Sequence, residues 1–291
     1  MRKVFCILCH KVTNPFLYTV NYLSSFNENT IIIHVDSKSS FSDFDVFKSN
    51  NVIFVKKRVE VSWGRYSQIE STLRVFNEAL NFEFDYLFLI SGDDIPCMTN
   101  ESINDLLARI EMRNMIHYQD QRNNYVDPLS RVMYHYPEYF YARKKSFFEK
   151  VKIRAFCFIK TFYVSANFIK HSQKIDKFYK GTNWISLNRQ TAHELMSFIN
   201  TNPWYCELFR DSFCADEVFF HTALKQIGVD DNYHDETKLN DALRYIDWTT
   251  GPDYPRTLDT SDLDKIKASG CIFSRKISAS IPYEFFEKLV Q

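Results

Sequence analysis

Hydrophobic positions in the first 115 residues alternate between short continuous runs and spaced stripes. The continuous apolar runs are residues 4–9, 31–35, 52–55 and 86–90, and each is typical of a buried strand. Residues 14–26 and 65–80 predict helices, because the second carries apolar side chains at helical spacing. Strands that alternate with helices predict a mostly parallel sheet with helices on both faces.

The second half of the chain has shorter hydrophobic runs. Residues 184–187 and 245–248 predict strands, and residues 190–199, 216–227 and 261–268 predict helices. We expect Ser261 and Asp264 to cap the last helix. Neither an internal repeat nor a low-complexity linker divides the 291 residues. The pattern therefore predicts an α/β fold in a single domain, although length alone also suits two smaller domains.

Charge and cysteine content bear on partners and location. The chain has 36 Lys and Arg against 36 Asp and Glu, so its net charge gives no reason to expect nucleic acid as a partner. Cys6 and Cys9 lie in a predicted strand and point to opposite faces. We expect all seven cysteines to be free thiols in a reducing compartment. The N-terminal apolar run is too short for a signal sequence or membrane span, which predicts a cytoplasmic location.

One segment departs from the overall charge balance. Residues 143–180 contain eleven Lys and Arg and two acids, a net charge of +9, interleaved with Phe and Tyr. Cations for anionic headgroups and aromatics for the acyl boundary suit a peripheral contact with the inner face of the cell membrane. The alternative is a solvated helical pair whose aromatic side chains face the core.

Polar residues follow three of the predicted strands. His10 and Lys11 follow the first, Asp36 follows the second, and Gly92-Asp93-Asp94 follows the run at 86–90. Ligands of parallel α/β sheets bind outside the carboxyl ends of the strands, so these positions predict a cleft for a polar ligand. The two common glycine-rich phosphate loops are absent from the sequence.

Two further groups of residues suit catalysis. Glu217 could take a proton from an attacking hydroxyl, or it could only complement the dipole of a helix capped by Asp216. Arg256, Arg275 and Lys276 near the C-terminus could neutralise a diphosphate leaving group, or lie on the solvated surface. Asp93 and Asp94 could hold a divalent cation, although a metal-dependent hydrolase built on them lacks nearby histidine ligands.

Six short motifs occur in an order and spacing typical of one family. They are residues 34–38, 61–68, 89–100, 181–184, 215–217 and 273–277. On these motifs the chain resembles, over about residues 4–278, the branching β-1,6-N-acetylglucosaminyltransferase and peptide O-xylosyltransferase family. The resemblance implies a GT-A-type fold, a nucleotide-binding sheet flanked by helices with a C-terminal acceptor-binding part. We place the nucleotide-sugar-binding part at about residues 1–118 and the acceptor and catalytic part at 119–291.

The resemblance also implies an activity. It implies an inverting glycosyltransferase that moves a sugar, with N-acetylglucosamine as first choice, from a UDP-sugar to a glycan hydroxyl in cell-surface polysaccharide or glycan synthesis. The alternatives are an O-xylosyltransferase that uses UDP-xylose, which the segment at 275–277 resembles more, and a non-catalytic carbohydrate-binding protein on the same fold. Residues 119–145 do not align with the family, so the acceptor, a glycan or a lipid-linked glycan, stays open.

The resemblance assigns roles to individual residues. It implies that Glu217 is the catalytic base, that Asp36 and Asp94 contact the donor, and that Arg256 and Lys276 bind the diphosphate in place of a metal. Trp248 and Trp184 are expected to contact the acceptor, with a core position as the alternative for Trp248. No cofactor is expected. Because the branching enzymes have one acid where this chain has Asp93 and Asp94, a divalent metal held by that pair stays possible.

Overall fold

The element order follows the alternation of apolar runs. The computed structural model describes residues 1–47, 49–142, 145–250 and 255–290. Its strands are β1 (Lys3–Cys9), β2 (Asn29–Val35), β3 (Val52–Phe54), β4 (Tyr86–Ser91), β5 (Ile95–Pro96), β6 (Ser186–Asn188), β7 (Arg244–Ile246) and β8 (Phe273–Arg275). Its α-helices are α1 (Asn14–Ser24), α2 (Tyr66–Ala79), α3 (Asn100–Arg109), α4 (Pro128–Met133), α5 (Phe147–Ile159), α6 (Ala166–His171), α7 (Arg189–Thr201), α8 (Pro203–Leu208), α9 (Asp216–Gln226), α10 (Leu263–Ser269) and α11 (Tyr283–Leu289).

The main sheet has five strands in the order β3-β2-β1-β4-β6. The first four are parallel, and β6 pairs antiparallel with β4. Side chains alternate between two apolar layers, so that Cys6 packs in the cluster containing Phe76 of α2 and Cys9 in the cluster containing Phe16 of α1. The predicted α/β sheet flanked by helices is confirmed, as are the opposite directions of Cys6 and Cys9.

A smaller sheet lies beyond the end of β4. Its strand order is β5-β8-β7, with Ile95 opposite Ser274. Because β5 follows β4 after only three residues, this register brings the C-terminal segment against the loop that contains Asp93 and Asp94. The N–H of Ile277 donates to the carbonyl of Asp93 across 3.0 Å. Residues far apart in the sequence thus meet at one edge of the main sheet.

The ends of several elements differ from the sequence prediction. Strand β7 ends at Ile246, so Trp248 lies outside it, and β6 begins at Ser186, after Trp184. The residue before α9 is Ala215 rather than the predicted cap Asp216. Asp259, not Ser261, caps the 3-10 turn before α10, because its carboxylate accepts the N–H of Ser261 while Asp262 closes a capping box.

The basic segment folds as α5, a 3-10 turn over Lys160–Tyr163, and α6. Phe156 and Phe168 are buried, but Phe147, Phe148, Phe158 and Phe162 are exposed. The alternative in which the aromatic side chains face the core is therefore wrong for these four. Residues 143 and 144, which begin the predicted membrane segment, lie outside the described residues. In the described part of the chain no helix is long and apolar enough to cross a bilayer.

Candidate active site

The predicted polar residues meet along one edge of the main sheet. Asp36 follows β2 directly, and Asp94 lies three residues beyond β4. Strand β6 runs antiparallel to β4, so Trp184, just before β6, lies at the edge where β4 ends. Asp36, Asp94 and Trp184 therefore share the carboxyl edge, where ligands of parallel sheets bind.

Asp36 organises the loop after β2. Its Oδ1 accepts the backbone N–H groups of Lys38 at 3.0 Å and Val61 at 3.3 Å. The Lys38 ammonium lies 3.7 Å from Oδ2. The neighbouring His34 accepts the Val59 N–H at its Nε2 across 2.9 Å, and burial lowers the pKa of His34 to about 4. The imidazole is therefore neutral at physiological pH, and Asp36 provides the negative charge at this position.

Asp94 is held by Ser91 and by an arginine. Oδ1 accepts from the Ser91 hydroxyl at 2.5 Å and from Arg275 Nε at 3.0 Å, and Oδ2 accepts from the Ser91 N–H at 3.0 Å. Asp94 is fully buried. The Arg275 guanidinium also lies 4.0 Å from the ring centre of Trp184. Since both carboxylate oxygens accept hydrogen bonds within the protein, Asp94 positions Arg275 between the sheet edge and Trp184.

A second buried arginine lies close to this pair. Arg244 is fully buried, donates to the Ser186 hydroxyl at 2.9 Å and stacks 4.8 Å from the centre of the Phe273 ring. Burial lowers the pKa of Arg244 to about 10, and the charge of Asp94 opposes that decrease. The guanidinium therefore stays charged at neutral pH. Arg244 and Arg275 thus place two guanidinium groups close to Asp94 beneath this edge, and guanidinium groups favour an anionic ligand.

Glu217 lies in the first turn of α9. Its Oε2 is 3.1 Å from the Lys180 ammonium, and its carbonyl accepts the Gly181 N–H at 2.9 Å. A Cβ at residue 181 would come within 2.0 Å of the carbonyl oxygen of His117, so only glycine fits. These contacts join the motifs at 181–184 and 215–217, so Glu217 lies beside the segment that carries Trp184.

The motif at 61–68 supports the start of α9. The N–H of Cys214 donates to the Gly64 carbonyl at 2.8 Å, and Gly64 adopts a left-handed φ of 75°. Gln68 donates to the Asp216 carboxylate at 3.5 Å. Burial, followed by the charge of Glu217, raises the pKa of Asp216 to about 7. Asp216 is thus a buried acid that titrates near neutrality directly beside Glu217.

Arg256 and Lys276 lie in different surroundings. The Arg256 guanidinium donates to Asp247 at 3.0 Å and also to the buried Asp262, so two carboxylates already neutralise it. Lys276 is half-buried, and its carbonyl accepts the Leu258 N–H at 2.7 Å. Trp248 is 58% exposed. The alternative prediction, that Trp248 lies in the core, is therefore wrong.

Two groups of acidic residues could act as metal ligands. Asp94 has both oxygens engaged by Ser91 and Arg275, so it suits an arginine better than an ion. Within the described ranges, His117, Asp120 and Asp241 bring their donor atoms within 4.8 Å of one another. Arg122 donates to both of these carboxylates at 2.5 and 2.8 Å. The Arg122 guanidinium thus already neutralises charge on the carboxylates of this second cluster.

Sequence reasoning missed two basic residues of this edge, Lys180 and Arg244, and gave Arg275 no specific role. Lys180 directly precedes the motif at 181–184, and that adjacency was the available signal. Arg275 lies inside the motif at 273–277 but was weighed only as one of several C-terminal cations. Arg244 gives no signal, because its contacts with Ser186 and Phe273 depend on chain segments far away in the sequence.

Comparison with solved structures gives weak likenesses. Residues 1–349 of TarS from S. aureus share 13% identity, with a TM-score of 0.31 over 49% of this chain and 43% of that chain. The TarS complex with UDP-GlcNAc shares 13% identity, with a TM-score of 0.30 over 46% of this chain and 39% of that chain. The match therefore spans less than half of either TarS chain. A glucose-1-phosphate thymidylyltransferase from Bacillus anthracis shares 12% identity, with a TM-score of 0.33 over 67% of this chain and 74% of that chain. Likenesses at these TM-scores support neither a donor nor a mechanism.

Comparison with curated sequences and family models gives a clearer result. No curated protein matches the chain significantly. The family model of the Core-2/I-branching enzyme matches residues 4–268, which include Asp36, Asp94 and Glu217. That match covers most of the 291 residues. The chain therefore belongs to the Core-2/I-branching enzyme family of glycosyltransferases.

Proposed function

We propose that the protein is an inverting glycosyltransferase that moves a sugar from a UDP-sugar to a glycan hydroxyl in cell-surface polysaccharide or glycan synthesis. The observation that carries this proposal is that Arg275 contacts Asp94 and Trp184 at the carboxyl edge, while Glu217 on α9 contacts Lys180 and Gly181, at the start of the segment that leads to Trp184. In this proposal the guanidinium groups of Arg244 and Arg275 favour binding of a diphosphate, and the Glu217 carboxylate provides the base. Asp36, at the other end of the edge, is proposed to hold the uridine end of the donor.

Cleavage of the donor leaves negative charge on UDP. In this proposal Arg275 and Lys276 stabilise that charge directly, and the buried Arg244 adds to the potential from below. Fixed charges in a partly dry site act strongly because they need no reorganisation during the reaction. Two carboxylates, Asp247 and Asp262, hold Arg256, whereas one, Asp94, holds Arg275, so we assign Arg256 the second place among the predicted donor contacts.

Glu217 is proposed as the catalytic base. Single displacement with inversion requires the acceptor hydroxyl to lose its proton as it attacks, and a carboxylate within hydrogen-bond reach can accept that proton. The Lys180 ammonium, 3.1 Å away, orients this carboxylate in the free enzyme. An acceptor hydroxyl that binds at Glu217 would compete with Lys180 for the same oxygen. A binding protein on the same fold would need no base, so the effect of Glu217→Gln on turnover separates the two functions.

The two tryptophans have different parts in acceptor binding. Trp248 exposes its ring beside the end of β7 and is free to stack on a sugar face. One face of Trp184 is already covered by Arg275, so Trp184 is proposed mainly to position that arginine and to contact the acceptor with its edge. The acceptor, a glycan or a lipid-linked glycan, and a cytoplasmic location stay predictions.

A donor screen tests this function. Purified protein is incubated with UDP-GlcNAc, UDP-xylose, UDP-glucose or UDP-glucuronate, and melting temperature and UDP release with added glycans are measured. We expect stabilisation by UDP and the largest effect with UDP-GlcNAc, because a ligand that binds the native state raises its stability. A larger effect with UDP-xylose would favour the xylosyltransferase alternative. Donor binding without UDP release in any acceptor mixture, equal in the wild type and in Glu217→Gln, would favour the binding protein.

A further inference from the structure

Helix α5 carries an apolar face that none of the residues described by the structure covers. Phe147 and Phe148 are each 75% exposed, Phe158 is 87% exposed, and Phe162 in the following turn is 86% exposed. Phenylalanine is normally among the most buried residue types. Four such side chains on one short segment are therefore a feature that solvent alone does not explain.

The exposed side chains form one continuous stripe. At about 100° per residue, Phe147, Val151, Phe148 and Phe158 fall within an arc of roughly 100°. Phe156, which is buried, points away from the centre of that arc. It anchors α5 to the protein by packing with Phe140 at 5.0 Å between ring centres. The stripe therefore faces outward, away from the protein.

Cations flank this stripe on both sides. By the same helical spacing Lys152 lies beside one border of the arc, and Arg154 and Lys150 lie beside the other. All three are exposed. The sole acid within α5, a helix that the structure describes completely, is Glu149, and its carboxylate is engaged in a capping box with Ser146. Within α5 the flanking positive charge is thus not offset.

The inner flank of α5 adds an opening lined with cations. Lys145, Lys150 and Arg154 line a cavity of about 400 Å³ above Phe140 and Phe213. Several cations around one opening favour anionic groups such as lipid phosphates over another apolar protein surface. Exposed aromatics with cations on both sides have the composition of helices that lie in a membrane interface.

We propose that α5 and the turn Lys160–Tyr163 dock on the surface of an anionic lipid bilayer. The Phe stripe enters the boundary between headgroups and acyl chains, and Lys150, Lys152 and Arg154 contact the headgroups. A second copy of the chain is a poorer occupant, because a twofold interface would bring these cations against their own equivalents. The charge favours an anionic surface instead.

This docking would orient the candidate active site. Phe213 packs against Phe140 at 5.7 Å between ring centres. The next residue is Cys214, whose N–H donates to the Gly64 carbonyl. Through Phe140, helix α5 therefore packs against the segment that leads into α9 and Glu217. The docking proposal itself does not depend on the catalytic one.

Vesicle co-sedimentation of the full chain tests the proposal. The vesicles contain phosphatidylcholine alone or phosphatidylcholine with phosphatidylglycerol, at low and at physiological salt. We expect binding to the anionic vesicles that weakens with salt. The triple variant K150E/K152E/R154E should weaken binding at least roughly 100-fold, since each cation contributes about fivefold. Phe158→Ser with Phe162→Ser should weaken binding while salt dependence persists.

The control carries the same change in charge elsewhere. Lys265→Glu, Lys267→Glu and Lys288→Glu alter exposed lysines of α10 and α11, so this variant should bind nearly as well as the wild type. Equal losses in both triple variants would overturn the proposal, because they would show an effect of net charge alone.

A fluorescent reporter separates docking from other interactions. Phe158→Trp should shift its emission to shorter wavelength when anionic vesicles are added, because the ring enters a less polar environment. No binding at low salt, or binding with no shift in emission, would overturn the proposal. Self-association or nucleic-acid binding that competes with vesicles and is lost in the Phe158 and Phe162 variants would assign the surface to that other partner and overturn it as well.

Discussion

Arg275 donates a hydrogen bond of 3.0 Å from its Nε to the buried carboxylate of Asp94. This ion pair joins the loop after β4 to strand β8, 181 residues later in the chain. It also fixes the charge of the site, because one of the two acids that could have held a metal instead holds a guanidinium. A guanidinium presents several donors in a fixed plane and binds phosphate groups well.

The first prediction follows from this pair. Activity measured as UDP release should survive excess EDTA, because Arg275 and Lys276 supply the positive charge at the leaving group. The double variant Asp94→Asn with Arg275→Gln removes both charges and retains a hydrogen-bonding pair. We expect this variant to fold and to lose about 100-fold in kcat, the usual effect of removing one electrostatic stabiliser.

Arg256→Gln is the matched control for the double variant. It removes a guanidinium that Asp247 and Asp262 already neutralise, so its effect on kcat should be smaller and its effect on stability larger. Complete inactivation by EDTA with recovery in Mn²⁺ or Mg²⁺ would contradict the prediction and transfer the role to Asp93 and Asp94 as metal ligands.

The second prediction concerns the base. Glu217→Gln retains the shape of the side chain and its place on α9 but removes its capacity to accept a proton. We expect kcat to fall by about 10²–10⁴ while UDP binding in a thermal-shift titration stays nearly unchanged. Glu194→Gln, on the exposed side of α7, should retain wild-type kcat. Turnover near the wild-type rate in Glu217→Gln would show that another group takes the proton.

The parts of this structure that were predictable from sequence depend on local patterns. The four parallel strands follow from continuous apolar runs, and Asp36 and Asp94 follow from their positions just beyond the ends of strands. The partners of these residues were not predictable, because the Asp94–Arg275 and Glu217–Lys180 pairs join distant segments whose register only the folded chain defines. The caps at Asp259 and Ala215 were missed because several adjacent polar residues satisfy the same local pattern.

The third prediction concerns the acceptor. Trp248→Ala should raise the acceptor KM at least about tenfold and leave the donor KM nearly unchanged, because an exposed indole stacks on the apolar face of a sugar. The melting temperature should change little, since the side chain is 58% exposed. Tyr283→Ala removes a similarly exposed aromatic on α11 and should change neither KM. Equal changes in both KM values for Trp248→Ala would argue against a role specific to the acceptor.

The last prediction concerns Asp216 and pH. Burial raises the pKa of Asp216 from 3.8 to about 7, so the folded state holds a proton that the unfolded state releases at lower pH. The stabilising effect of this proton is fully present below about pH 4 and is lost as pH rises through about 7. Asp216→Asn cannot ionise and still accepts a hydrogen bond from Gln68. It should leave the free energy of unfolding nearly unchanged at pH 4 and increase it at pH 8 by on the order of 1–3 kcal/mol.

Urea unfolding across this range measures the difference, and Asp264→Asn on exposed α10 should show no such trend. A stabilisation by Asp216→Asn that is the same at pH 4 and pH 8 would show that ionisation of Asp216 is not its source.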